Sequence, residues 1–156
     1  MRNVAGILLI WSMFYAVPAS ASDWLLVSKA SAADHAVLVS TTDVQRTVGG
    51  VLVWQRVVFA EPRANWNGAF ALDSRTQYDC GNNTATILQN VTYDATGKVA
   101  AVNTTPIGPM PLPPGKLGHA ILKAVCSPDF PNIKDDADFL EFSGDIPHLI
   151  NILKSF

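Results

Sequence analysis

The sequence is short of groups that could do chemistry, and each shortage excludes something. Only two cysteines and three histidines occur in 156 residues. His35, His119 and His148 lie far apart, and none stands at metal-ligand spacing from another histidine or a cysteine. There is no nucleophile-elbow serine, no phosphate loop and no dinucleotide glycine pattern. No enzyme activity, cofactor or metal is therefore expected, and no catalytic residue is assigned. Basic residues between Asp23 and Ser127 (Lys29, Arg46, Arg56, Arg63, Arg75, Lys98, Lys116, Lys123) are scattered singly. Without a basic stripe to neutralise phosphates, nucleic acid is not expected as a partner.

No apolar run reaches the roughly 20 residues that a membrane-spanning helix needs. The longest, Val4 to Val17, is about 14 residues and follows Arg2. Pro18-Ala19-Ser20-Ala21 then places small residues at the −3 and −1 positions of a cleavage site. Residues 1–21 read as a signal peptide, with the mature chain starting near Ser22 and carrying no integral membrane span. No cysteine directly follows the apolar run at the cleavage site, so a lipid anchor is not expected. The remaining 135 or so residues suffice for one domain with one core.

Cys80 and Cys126 both survive signal cleavage. In an oxidising compartment an isolated pair is most simply a disulfide, the alternatives being a two-ligand metal site or free thiols.

Along the mature chain, Trp24–Ser28 and Ala36–Thr41 read as strands. Val51–Phe59 is the strongest strand candidate, and neither of its faces is wholly polar, so it belongs at the centre of a sheet. Asn67-Gly68 is a hairpin-turn dipeptide before a strand over Ala69–Cys80. Thr84–Tyr93 and Lys98–Val102 continue the pattern across an Asp94–Gly97 turn. Short turns between successive strands favour an antiparallel meander of about six strands. Pro106, Pro109, Pro111, Pro113 and Pro114 read as a stiff extended connector outside the ladder. Leu117, Ile121, Ala124 and Val125 have helical spacing, and Pro128 stops that helix. Asp145 caps a second helix with the apolar stripe Ile146, Leu149, Ile150 and Leu153. The expected class is α+β, a meander with one helix packed on a face and a C-terminal helix after an acidic linker. Residues 22–128 form the domain and 129–156 the linker and last helix.

Three features bear on binding. Asp135, Asp136, Asp138 and Glu141 are oxygen ligands in number, but their spacing fits no calcium loop, and a solvated acidic linker is the better reading. Asn82, Asn90 and Asn103 head Asn-x-Thr triplets, which matter only in a eukaryotic secretory pathway. Trp24 and Trp54 read as core. Trp66, beside Asn65, Asn67 and Gly68, is either a loop-tip anchor for a ligand or a side chain folded back on the sheet.

Trp24, Val53-Trp54, Tyr78-Asp79-Cys80, Tyr93-Asp94 with Gly97, Pro113-Pro114-Gly115 and Val125-Cys126 occur in that order. The ordered set resembles the surface-adhesin protein E family of bacterial exported proteins, over about Trp24 to Cys126. The resemblance implies an antiparallel sheet with a helix packed on it and a Cys80–Cys126 bridge. It also implies adhesion to host extracellular proteins such as vitronectin and laminin, and a homodimer. The functional expectation is thus an exported, non-enzymatic binding protein, periplasmic or at the cell surface. The alternative is a periplasmic assembly partner whose Ile146–Leu153 helix docks on another envelope protein.

Overall fold

The computed structural model describes residues 23–27, 32, 34–132 and 139–155. The expected signal peptide lies outside them, as do Asp135, Asp136 and Asp138. One antiparallel sheet is built from β1 (Asp23–Val27), β2 (His35–Ser40), β3 (Gln45–Thr47), β4 (Gly50–Arg63), β5 (Ala69–Asp79), β6 (Thr84–Tyr93), β7 (Val99–Asn103), β8 (Ile107–Pro111) and β9 (Phe139–Ser143). Two helices, α1 (Leu117–Cys126) and α2 (Ile146–Leu153), complete it.

The sheet order β7-β6-β5-β4-β2-β1-β9 is a meander from β4 to β7, with β4 central as its Val-rich sequence predicts. The six expected strands are β1, β2, β4, β5, β6 and β7. The three others correct the count. β3 continues the line of β2 along β4, the two separated by a short break at 41–44. In the same way β8 continues the line of β7 along β6, pairing Thr84 with Pro111 and Ala85 with Met110. The proline segment was expected to stay out of the ladder; it joins because an edge position leaves proline's missing N–H facing outward. β9 lies inside the segment expected as an acidic linker and pairs with all five residues of β1.

Turn chemistry behaves as the residues dictate. Asn67 (φ 53°) and Gly68 (φ 78°) close the β4–β5 connection in the left-handed region, after a single 3-10 turn at Ala64–Trp66. Asp94 accepts the N–H groups of Thr96 and Lys98 and so shapes the β6–β7 turn.

Side chains alternate across the sheet and feed two cores. Leu25, Val27, Val37, Val39, Val51, Val53 and Tyr78 pack with Ile121, Leu122 and Val125 of α1. On the opposite face Trp24, Ala36, Leu38, Val58 and Ala71 pack with Ile146, Leu149, Ile150 and Leu153 of α2. The sheet is therefore covered by one helix on each face. α1 buries Leu122 rather than Leu117, which opens the helix and is 40% exposed. The stripe of α2 is the one its spacing predicts, and Asp145 Oδ2 accepts the His148 N–H as its N-cap. Because that stripe is spent on the protein's own sheet, it is not available to dock an envelope partner.

Cys80 and Cys126 form a disulfide with Cα atoms 5.8 Å apart, tying the end of β5 to the end of α1. Arg46 on β3 adds a polar clamp, donating to the carbonyls of Ser127 (2.7 Å) and Phe130 (2.9 Å) just past that helix. No helix among the described residues is long and apolar enough to cross a membrane.

Candidate functional site

Arg56 sits in a valine-rich stretch, between Val53 and Val58 on the central β4. A guanidinium there must find partners, since an unpaired buried charge costs several kcal/mol. Asp73 lies directly opposite on β5. Its two carboxylate oxygens accept from Arg56 Nε and Nη2, both at 2.6 Å. This two-pronged geometry is the strongest that an arginine makes. Tyr93, one strand further on, donates its hydroxyl to Asp73 Oδ2 at 2.9 Å. Arg56 Nη1 donates to the Gly144 carbonyl, at the entry to α2. The guanidinium carbon lies 4.5 Å from the Trp24 ring centre and 5.6 Å from that of Tyr93, a cation held between two aromatic faces. Gly144 rests against Trp24 so closely that a Cβ would collide with the indole.

The electrostatics follow. Burial works against the Arg56 charge, but the bonds and charge of Asp73 outweigh it and hold its pKa above the ordinary value. The Tyr93 phenol is pushed up to about 12, first by burial and then by the neighbouring Asp73 charge.

Around this cluster a cleft of about 330 Å³ opens on the α2 face. Trp24, Ser40 and Asp73 are its buried floor, Trp54, Arg56 and Tyr93 its half-buried walls, and Thr42 and Asp43 its exposed rim. Trp54 was expected in the core. It stands half-buried, with its indole N–H donating to Asp43 Oδ2 at 3.0 Å and the Arg75 guanidinium 6.0 Å from its ring centre.

A second cluster lies at the end of β4. Trp66 folds back on Phe59, the ring centres 5.0 Å apart, and the Arg63 guanidinium covers Phe59 at 4.6 Å. Arg63 pairs with Asp34 Oδ2 at 2.7 Å, and His35 Nδ1 lies 2.7 Å from Asp34 Oδ1. The bonds from His35 and then Arg63 hold the exposed Asp34 carboxyl below its usual range. Trp66 remains half-buried rather than enclosed.

A larger cleft of about 420 Å³ lies between the β3–β4 and β5–β6 turns, beside the fully exposed Val48. Its carboxylate, Asp79, is spent on its own turn, accepting from the Gly81 and Asn82 N–H groups.

The other residues singled out in the sequence do not converge. His119 Nδ1 lies 3.1 Å from the Leu112 carbonyl oxygen, on the α1 face; His148 is in the first turn of α2. Glu141 is on β9, opposite Leu25. Asn90 accepts from the Ser74 hydroxyl within the sheet. No group of three metal-ligating side chains occurs among the described residues. The Arg56–Asp73–Tyr93 cluster was not foreseen. Its signal was an arginine inside a valine-rich central strand, which demands a buried partner, but the partner's identity depends on strand register.

Against known proteins, the family model of surface-adhesin protein E matches residues 24–127. No curated protein and no solved structure matches the chain significantly.

Proposed function

The chain belongs to the surface-adhesin protein E family, and from that membership we propose that it is an exported, non-enzymatic protein that binds host extracellular-matrix proteins at the bacterial surface. The observation that carries this reading is the family match, which runs from β1 to the end of α1 and so takes in all but β9 and α2. The signal-peptide pattern of residues 1–21 supports export.

The contact surface we assign is the end of β4, where the half-buried Trp66 and the partly exposed Arg63 guanidinium lie over the buried Phe59. Tryptophan and arginine dominate binding hot spots because they bury much area while retaining polar handles. Packing on Phe59 also holds Trp66 in place before a partner arrives, which lowers the ordering cost of binding.

The test is binding of the purified protein to immobilised vitronectin and laminin. Saturable binding that falls at least about tenfold in Trp66→Ala, with the melting temperature unchanged, is the expected result. Absence of binding to both proteins would overturn the adhesin reading. Unchanged binding by Trp66→Ala would move the contact elsewhere.

A further inference from the structure

The cleft beside Arg56 has no part in the Trp66 surface, and its chemistry points to a different kind of ligand. We propose that it is a binding site for a neutral pyranose, a single sugar ring of a glycan. This goes beyond the adhesin reading and does not depend on it.

The charge balance argues first. Arg56 and Asp73 neutralise one another through two bonds, and Asp43 at the rim accepts from the Trp54 indole and the Gln45 amide. The cleft's one lining cation is therefore already engaged, and a carboxylated ligand would not recover the cost of its own desolvation here.

The hydrogen-bonding groups argue next. A guanidinium has five N–H donors, and three are used, on Asp73 Oδ1, Asp73 Oδ2 and the Gly144 carbonyl. The side chain also bonds the Tyr93 hydroxyl, which leaves one donor beside the cleft. Asp43 and the hydroxyls of Ser40, Thr42 and Tyr93 supply acceptors. Ser40 is 2% exposed, yet among the described residues its hydroxyl meets only Thr42 Oγ1 and the Thr42 N–H, each at 3.4 Å. Both contacts are beyond the range of a good bond, so a buried hydroxyl on the floor is left under-satisfied. Sugar hydroxyls donate and accept at once, which suits a lining that offers both.

The apolar wall argues last. Trp54 presents an indole held in position by its bond to Asp43, and the C–H face of a pyranose packs on such a ring. The volume, about 330 Å³, is at the small end of ligand sites and suits one ring rather than a drug-sized molecule.

The experiment is a titration of the full protein, followed by tryptophan emission, with the methyl glycosides of glucose, galactose, mannose and N-acetylglucosamine. Sialic acid and phosphocholine serve as charged comparators. The expected result is saturable quenching by at least one neutral glycoside with a dissociation constant of about 1 mM, ordinary for a ligand of about a dozen heavy atoms. Trp54→Phe and the rim variant Asp43→Ala should each weaken it at least about tenfold, and Trp66→Ala should not change it. Circular dichroism and melting confirm that each variant is folded. No response to any neutral glycoside, a response to the charged comparators alone, or full binding by folded Asp43→Ala and Trp54→Phe would overturn the proposal. Binding to vitronectin and laminin, measured in parallel, separates the two readings. Absence of both vitronectin and laminin binding with glycoside titration intact overturns only the adhesin reading, and the reverse overturns only the sugar site.

Discussion

Arg56 and Asp73 are 17 residues apart in the chain and directly opposite in the β4–β5 register, where their side chains meet through two bonds of 2.6 Å. Both are largely sequestered, the side chains 14% and 7% exposed. Removing one member of a buried pair strands the other charge, at a cost of about 3–5 kcal/mol. Asp73→Ala should therefore lose about that much stability in urea denaturation. The double variant Arg56→Met with Asp73→Leu should recover most of it, because packed apolar residues replace both charges. A double variant no more stable than the single one would assign the loss to packing instead.

The disulfide closes a separation of 46 residues. Chain-entropy reasoning values a loop of that length at about 4 kcal/mol through restriction of the unfolded state. Cys80→Ser should lower the urea midpoint accordingly, and reductant should lower the wild-type midpoint but leave the variant's unchanged. Equal midpoints for the oxidised and reduced wild type would contradict this.

Tyr93 carries a pH dependence whose sign is fixed by its environment. Its folded-state pKa lies near 12, against about 10 in the unfolded chain. The folded state thus keeps a proton that the unfolded state gives up. Its contribution is intact below pH 10 and is lost between about pH 10 and 12. Tyr93→Phe should flatten the alkaline unfolding profile in that window. The Tyr78 phenol, also raised by burial, would leave a residual slope.

Leu149 is 2% exposed and sits in the core between α2 and the sheet, whereas Asn151 on the same helix faces solvent. Leu149→Ala should cost about 3 kcal/mol, within the range for large-to-small core changes, and Asn151→Ala should cost next to nothing. Thermal melts of the two variants would check this. Equal melting temperatures would mean that α2 contributes little to the fold.

Much of the architecture is legible in the sequence. Val51–Phe59 announced a central strand, Asn67-Gly68 a hairpin turn, and Ile146, Leu149, Ile150 and Leu153 a helix face, and each is where its pattern placed it. These signals are local: backbone preference, positive φ and a 3.6-residue period are properties of neighbouring residues. The misses are of another kind. β8 was hidden by its prolines, which are tolerated only because that line of the sheet is an edge. β9 was hidden because its pairing partner β1 begins more than a hundred residues earlier.

The sequence by itself determined much of the strand-and-helix alphabet of this protein, the one cysteine pair available for a disulfide and its likeness to an adhesin family. Which strand lies beside which, that the two helices cover opposite faces, and that Arg56 meets Asp73, Tyr93, Trp24 and the Gly144 carbonyl were decided only by the tertiary structure. The reason is physical. A strand's tendency to form is set by its own residues, whereas pairing and register are settled by the competing burial of every face at once, and a buried charge finds its partner only through that choice.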